Sequence, residues 1–177
     1  MQLHPLLKGR LDAVQSIHLK THEAAMRIIN KTGPLHNPAD RDHCLQYMTA
    51  IGLIFGTLTA EHYEDQTAAD PRVDFLRDKM QVVEAPDFSK DYLDPSKRAI
   101  ANEMTVFLTD GTQLGPVRVD YPIGHRVRRA EGVPLLQAKY RRHLESYYQA
   151  PQVEKLIAMF GEPLGQMPVD QFMQGWG

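Results

Sequence analysis

A polar loop interrupted by prolines leads directly into the most apolar helical segment of the sequence, between Gly33 and Leu58. Apolar residues recur there at the three- and four-residue spacing of an α-helix, at Cys44, Met48, Ile51, Phe55 and Leu58. Further leucines and isoleucines widen this stripe, so the helix must be buried on most sides. The residue before Pro38 disfavours helical geometry, and Asp40 is suited to an N-cap. The sequence therefore predicts one long buried helix over residues 40–58.

Ionisable and aromatic residues cluster in the first turns of this predicted helix, at Arg41, Asp42, His43 and Tyr47. Unpaired amides and the positive end of the helix dipole favour anions at such a position. A carboxylate ligand would suit it, and we expect Tyr47 and His43 to share one helical face that opens on a cleft. A structural interpretation stays open, in which Asp42 meets the charge preference of the first turn, Arg41 pairs with an acid and Tyr47 is an ordinary half-buried aromatic.

Four short segments have the alternation or the β-branched content of strands, at residues 14–21, 80–84, 104–109 and 113–120. The last two are joined by Asp110-Gly111, a strong signal for a two-residue hairpin turn. Pro116 cannot donate to a sheet ladder, so the fourth strand is expected at an edge or at a bulge. The predicted fold class is α+β, with about four short, mostly antiparallel strands and helices packed on one side.

Further helices are expected around these strands, at residues 23–30, from 71 onward, at 134–148 and at 151–160. Thr59 is expected to cap a turn, but His62 stands where a glutamate would complete a capping box, so only half of the box is expected. The turn-rich stretch 85–102 is expected to be a surface excursion. The tail is expected to cover another surface with its apolar residues, which are Leu164, Met167, Val169, Phe172, Met173 and Trp176.

Twenty basic against twenty-two acidic residues give a formal charge of −2, which argues against a general binder of nucleic acid or of membrane surfaces. A strongly basic stretch runs from Arg118 to Arg142, but only Tyr121 and Tyr140 are aromatic within it. Nucleic-acid binding would favour several aromatics there and a basic domain overall. An anionic small molecule or an acidic partner fits better, and plain solvation of these side chains stays open.

Length, cysteine content and hydropathy narrow the class of protein. The 177 residues fit one domain. The single cysteine, Cys44, excludes an internal disulfide, fits a reducing compartment and is expected to pack rather than to react. His18 and His22 lack carboxylate or thiol neighbours at a convincing spacing, so no metal site is expected. We find neither a signal peptide nor a segment long enough to span a bilayer, and expect a soluble intracellular protein.

Several segments carry a family resemblance: THEAAMRIINKTGPLHNPADRDHCLQYMTAIGLIFGTLTAEHYED, DPRVDFLRDKM, DPSKRAIAN and YPIGHRVRR. Through them the chain resembles the C-terminal part of the MmgE/PrpD family, from about Leu11 to the MPVDQF near the end. NPADRDHC and YPIGHRVRR are typical of the branch that dehydrates 2-methylcitrate without an iron–sulfur cluster. The resemblance implies that residues 1–177 form a lid-like domain with a helical tail. In the family this lid is set against a larger, all-helical N-terminal domain, which we expect to be absent from this chain.

The resemblance also implies an activity, the removal of water from (2S,3S)-2-methylcitrate to give 2-methyl-cis-aconitate in propionate breakdown through the methylcitrate cycle. Such a hydro-lyase needs a base for the proton alpha to a carboxylate, an acid for the departing hydroxyl, and cationic groups for three carboxylates. Tyr47 matches by position a lid tyrosine that lines the pocket of related decarboxylases. It is the first catalytic candidate, and His43 is the second.

Three further residues are expected to bind substrate carboxylates, namely Arg41, Lys31 and His125. For His125, a local hydrogen bond within its loop is an equally good interpretation. No cofactor and no metal are expected, because side chains can stabilise the developing charge.

The expected partners are the tricarboxylate substrate, the N-terminal helical domain and a second copy in a homodimer, with neither nucleic acid nor membrane. The expected compartment is the cytoplasm, or the mitochondrion in a eukaryote. Most acid, base and anchoring residues of these lyases lie in the helical domain, so the isolated chain is expected to be inactive. The alternative is a non-catalytic binding or oligomerisation module that retains the lid fold.

Overall fold

The computed structural model describes residues 2–161 and 167–176. The chain divides into two compact units, Met1–Pro122 and Ile123–Gly177. That both units belong to one domain over residues 1–177 stays a prediction. Leu164, one of the tail residues expected to cover a surface, lies outside the described residues. Within the described ranges, no helix is both long enough and apolar enough to cross a membrane.

The first unit is built on a four-stranded sheet, made of β1 (Val14–Thr21), β2 (Met80–Glu84), β3 (Asn102–Leu108) and β4 (Gln113–Val119). The strand order is β2-β1-β3-β4. β1 runs parallel to β2, whereas the β1–β3 and β3–β4 pairs are antiparallel. The prediction of four short, mostly antiparallel strands is confirmed.

Pro116 lies in β4, which is an edge strand, and the register of the β3–β4 pair shifts between Met104 and Val106. An edge position and an irregular register are both expected of a residue that has no amide hydrogen to donate. The hairpin turn contains Asp110-Gly111, as predicted, but the connection runs over residues 109–112 and is longer than the expected two residues. Asp110 Oδ1 accepts the amide hydrogen of Thr112 at 2.8 Å, and this fixes the turn.

The core of the first unit lies between one face of the sheet and the helices. These helices are α1 (His4–Leu7), α2 (Glu23–Ile28), α3 (Pro38–Arg41), α4 (Leu45–Phe55), α5 (Asp65–Ala68), α6 (Pro71–Arg77) and α7 (Pro86–Leu93). On β1, Ile17 is buried with residues of α4 and α6, whereas His18 and Lys20 are exposed on the other face. Burying a side chain of that size contributes about 1.5–3 kcal/mol. The prediction of helices on one side of the sheet is confirmed.

The predicted helix over residues 40–58 is interrupted. Residues 38–41 form α3, and α4 begins only after Cys44, which is buried and makes no side-chain cap. Asn37 caps α3, because its Oδ1 accepts the amide hydrogen of Asp40 at 2.9 Å. The expected N-cap at Asp40 was therefore wrong, since a competing cap stands three residues earlier.

The entrance of α4 also differs from the expected anion site. The amide of Leu45, its first residue, donates to the carbonyl of Ile29 at 2.8 Å. His43 precedes the helix, so it does not share a helical face with Tyr47. The long helix entrance expected to bind a carboxylate is therefore interrupted between α3 and α4, and the first amide of α4 is already engaged.

Two other local predictions were wrong for identifiable reasons. Within the expected surface excursion 85–102, residues Pro86–Leu93 form α7, with proline at the start and Phe88 buried. The capping box at Thr59 is complete, because His62 Nδ1 accepts the Thr59 amide hydrogen at 3.0 Å. A neutral imidazole nitrogen is an acceptor, so it can stand in for a carboxylate in such a box.

The second unit contains α8 (Arg129–Glu145), α9 (Ala150–Gly161) and α10 (Val169–Gln174). α8 begins at Arg129 rather than at Pro134, which lies inside it. The described part of this unit has a cluster of buried apolar residues formed by Leu144, Val153 and Leu156, and Trp176 packs against it. The ring of Phe172 contacts Trp176 at a centroid distance of 5.9 Å. The tail therefore covers this core through Trp176, with Phe172 beside it, while Val169 and Met173 stay exposed.

Candidate functional site

Tyr47 lies in the first turn of α4 and is almost completely buried, with 2% of its surface exposed. Its hydroxyl donates a hydrogen bond to the carbonyl oxygen of His62 at 2.6 Å. Its ring stacks on that of Tyr63, with a centroid distance of 6.2 Å. Burial raises the pKa of the Tyr47 hydroxyl, while the Arg41 charge opposes that rise. The expectation that Tyr47 faces an open cleft is wrong in this structure, because the turn over residues 60–63 holds its hydroxyl.

Arg41, the last residue of α3, is buried beside the same turn. Its Nη1 donates to the Tyr63 carbonyl at 2.7 Å, and its Nη2 pairs with Asp65 Oδ1 at 2.7 Å. The Nε hydrogen has no acceptor among the described residues. A buried charge is costly unless it is paired, so Arg41 is held by Asp65 but still has one donor to offer.

A second guanidinium, that of Arg77 at the end of α6, lies close enough to influence Tyr47. Arg77 pairs with Asp74, and its Nη2 donates to the Gly33 carbonyl at 2.8 Å. Its buried Nε has no acceptor within the described ranges. The positive charges of Arg41 and Arg77 both act to lower the pKa of the Tyr47 hydroxyl. Arg77 thus adds a second positive charge to the surroundings of Tyr47, and guanidinium groups are suitable donors for carboxylates.

His43 and Lys31 occupy exposed positions near these residues in the chain. The His43 ring is hydrogen-bonded through Nδ1 to Asp42 Oδ1, and 59% of the side chain is exposed. A carboxylate at Nδ1 leaves Nε2 as the nitrogen that can accept a proton. Lys31 Nζ lies 3.8 Å from Asp40 Oδ1 at a partly exposed position. Both side chains are accessible to a solute.

His125 belongs to the second unit, where it precedes a short 3₁₀ turn. Its Nδ1 accepts the amide hydrogen of Val127 at 3.3 Å, which is the local hydrogen bond of the alternative interpretation. Of the five candidates, Arg41 and Tyr47 meet at one turn, while Lys31 and His43 lie in the loop around α3.

No group of three or more histidine, cysteine or carboxylate side chains suitable for a metal ion occurs among the described residues. The groups that do meet at this turn are a guanidinium, which can bind anions, and a phenol, which can donate a hydrogen bond.

The model of the MmgE/PrpD C-terminal domain matches residues 1–160 of the sequence. This chain belongs to the MmgE/PrpD family. The match covers all of the first unit and most of the second, so both units carry the family pattern.

This MmgE/PrpD chain is similar to several curated proteins that are named 2-methylcitrate dehydratase. It is 51% identical over 98% of its length to the mitochondrial 2-methylcitrate dehydratase of Yarrowia lipolytica, of which it covers 34%. It is 51% identical over 98% of its length to the 2-methylcitrate dehydratase of Cupriavidus necator, of which it covers 37%. Identity to the 2-methylcitrate dehydratase of Escherichia coli K12 is 48% over 90% of the chain and 34% of that protein. The chain thus spans about a third of the length of these relatives.

Three residues of the site escaped sequence reasoning: Tyr63, Asp65 and Arg77. The first two lie in the segment AEHYED, which reads as an ordinary polar turn. Arg77 lies in a helix that was expected, but its bond to the Gly33 carbonyl spans 44 residues. No local pattern indicates a contact of that range, so these residues could be found only from the fold of the MmgE/PrpD domain.

Two cavities in the first unit are not lined by any of the five candidates. One has a volume of about 260 Å³ and lies between α1, α4 and the sheet, with mainly apolar walls such as Leu45, Met48 and Met104. The other, of about 390 Å³, lies between α2 and α7. The five candidate residues of this MmgE/PrpD domain thus lie outside both cavities, and two of them, Arg41 and Tyr47, meet at a turn held by hydrogen bonds.

Proposed function

We propose that this chain is the C-terminal part of a hydro-lyase that removes water from 2-methylcitrate and forms 2-methyl-cis-aconitate. Identity at about half of the positions, across nearly the whole chain, to proteins named for this activity carries the proposal. The grouping of Arg41, Arg77 and Tyr47 supports it, because a tricarboxylate needs several cationic groups. The proposed pathway is propionate catabolism through the methylcitrate cycle.

The elimination requires two proton transfers, which we assign to two residues. His43 takes the proton from the carbon alpha to a carboxylate, and the electrons of that bond form the new double bond. Tyr47 donates a proton to the departing hydroxyl, which leaves as water. The exposed imidazole of His43, held at Nδ1 by Asp42, supports its role as the base. The hydroxyl of Tyr47 is a donor in the structure as well.

We assign the binding of the substrate carboxylates to Arg41, Lys31 and His125. The assignment of His125 rests on its position in the sequence alone. The proposed reaction needs no cofactor. The remaining partners are the polypeptide that precedes this region in the longer relatives and a second copy in a homodimer. The proposed compartment is the cytoplasm, or the mitochondrion in a eukaryote, for which the name of the Yarrowia lipolytica relative gives support.

A chimeric enzyme tests the proposal. This chain replaces the matching segment of the Cupriavidus necator relative, and turnover of 2-methylcitrate is followed through the ultraviolet absorbance of the conjugated double bond. We expect turnover by the chimera and none by the 177-residue chain alone. In the chimera, Tyr47→Phe should lower turnover at least about tenfold, the low end of a general-acid contribution. Tyr92→Phe is the matched control, because Tyr92 stacks on His22 away from the proposed site.

Each contrary result has a defined meaning. A folded chimera without turnover would favour the non-catalytic module. Appreciable turnover by the chain alone would refute the need for the preceding polypeptide. Equal turnover with Tyr47 and with phenylalanine would remove Tyr47 from the mechanism.

A further inference from the structure

Asp65 and Arg41 form an ion pair of very unequal exposure. The Arg41 side chain is 6% exposed and the Asp65 side chain 87% exposed. The buried guanidinium depends on an anionic partner. The exposed aspartate gains little from the contact, because water solvates its carboxylate in either position. Another carboxylate could therefore take the place of Asp65 at small cost, and Asp65 itself lies at the surface beside Arg41.

Arg41 also has the donors that a second carboxylate would need. Asp65 uses Nη2, and Tyr63 takes Nη1 through its carbonyl. Nε and Nη2 lie on one edge of a guanidinium and together match the two oxygens of a carboxylate. Only Nη2 of that edge is engaged by the described residues, and the buried Nε hydrogen has no acceptor among them. A ligand carboxylate could bind both donors where Asp65 engages one.

The segment that carries Asp65 is weakly held. We call residues 60–68 the latch. None of its side chains is fully buried. Its polar attachments to the loop and to α4 are the pair with Arg41 and the hydrogen bonds that the His62 and Tyr63 carbonyls accept. Its ring contacts are those of Tyr63 with Tyr47 and of His62 with Phe55. A surface segment with few buried contacts opens at low free-energy cost.

We propose that the latch is an autoinhibitory closure, in which the carboxylate of Asp65 occupies Arg41 until a carboxylate of a di- or tricarboxylate ligand replaces it. Replacement frees the latch, and its movement uncovers the hydroxyl of Tyr47. The inference rests on the proposed function for the identity of the ligand, but the closure itself rests on Arg41 and Asp65 alone. It accounts for how a tyrosine buried in the free chain becomes available to a substrate.

The first test needs no ligand. In the full 177-residue chain, Asp65→Asn removes the charge and keeps the shape of the side chain. The amide hydrogens of Thr67 and Ala68, which donate to the Glu64 carbonyl, should exchange with deuterium at least about threefold faster, because the opened fraction of the latch increases. The amide of Met48 in α4 should not change. Asp70→Asn is the matched control, since it breaks the exposed pair with Arg72 and leaves Arg41 untouched.

The second test measures the dissociation constants of 2-methylcitrate and of tricarballylate by calorimetry. Removing the internal competitor raises the fraction of chains that can bind. Asp65→Asn should therefore bind at least about threefold more tightly than the unsubstituted chain, and Asp70→Asn should bind as the unsubstituted chain does. When Arg41→Gln is also present, Asp65→Asn should no longer change the dissociation constant.

The two tests separate the latch from the proposed function. Equal affinity in all variants would overturn the latch, as would unchanged exchange at Thr67 and Ala68 in Asp65→Asn. Tighter binding of tricarballylate with no binding of 2-methylcitrate would support the latch and contradict the proposed substrate. If 2-methylcitrate binds with an affinity that Asp65→Asn does not change, the result would contradict the latch and support the proposed substrate.

Discussion

The hydroxyl of Tyr47 donates its hydrogen bond to the carbonyl oxygen of His62, which lies 15 residues later in the chain, at a distance of 2.6 Å. Arg41 donates to the next carbonyl, that of Tyr63, at 2.7 Å. Two side chains that are candidates for substrate contact thus hold one turn in place. Their contribution to the stability of the free chain can be measured separately from any role in turnover.

Tyr47→Phe should lower the free energy of unfolding of the first unit by about 1–3 kcal/mol, because the His62 carbonyl loses its donor in a partly buried place. Urea unfolding followed by the NMR signals of β1 reports this unit, whereas the single tryptophan, Trp176, lies in the other. Tyr92→Phe keeps its ring contact with His22 and should change the stability by less than about 0.5 kcal/mol. Equal stabilities of the two variants would mean that the Tyr47 hydrogen bond contributes nothing.

Alkaline pH should destabilise the first unit through the same hydroxyl. Burial raises the pKa of Tyr47 in the folded chain, so the unfolded chain loses this proton first. The contribution of Tyr47 to stability is complete below about pH 10, the ordinary pKa of tyrosine. It is lost as the pH rises through the raised pKa of the folded chain. Urea midpoints measured from pH 8 to 11 should fall less steeply for Tyr47→Phe than for Tyr92→Phe. Identical slopes would contradict the prediction.

The strands could be predicted from the sequence because their signals are local. The alternation in Val14–Thr21 and the Asp110-Gly111 turn each depend on neighbouring residues. The start of the central helix could not be predicted in the same way. Apolar spacing continues through Cys44, but the competing cap at Asn37 and the bond from Leu45 to Ile29 break the helix. The periodicity predicts a buried face, but it cannot detect an interruption of the helix that leaves this face apolar.

The candidate site was predictable in its residue types and not in its geometry. Arg41 and Tyr47 were both singled out, and the structure brings both to the same turn. Their burial was not predictable, because Tyr47 contacts His62, 15 positions later, and Arg41 pairs with Asp65, 24 positions later. Sequence reasoning finds groups able to bind a carboxylate, but it does not reveal that a carboxylate of the same chain already occupies one of them.

Acid should destabilise the first unit through His22. This residue is 5% exposed, it stacks on Tyr92 and its Nδ1 accepts the amide hydrogen of Ala25. Burial lowers the pKa of His22, so the folded chain favours the neutral ring. The contribution of His22 to stability is present above about pH 6.5, the pKa of histidine in the unfolded chain. It is lost as the pH falls through the lower pKa of the folded chain.

The measurement for His22 compares urea midpoints at pH 7.5 and pH 5. His22→Asn retains a cap for α2, since asparagine is a good N-cap, and should lose less stability on acidification than the unsubstituted chain. His36→Asn replaces an exposed histidine and serves as the control. If both variants respond to acid as the unsubstituted chain does, His22 is not the responsible group.

The end of α4 offers a test of packing against the N-terminal helix. Gly56 has φ +70°, and a Cβ there would lie 2.6 Å from His4 Cδ2. The His4 ring is held by a hydrogen bond of 2.9 Å between its Nδ1 and the Leu53 carbonyl oxygen. Gly9 has φ +77° with no described atom within 4 Å of such a Cβ. Gly9→Ala should therefore cost only the left-handed backbone penalty, about 1–2 kcal/mol. Gly56→Ala should cost a further 1–3 kcal/mol, roughly the penalty of overpacking, and adding His4→Ala should recover part of that excess. Equal urea midpoints for Gly9→Ala and Gly56→Ala would show that His4 does not pack against this helix end.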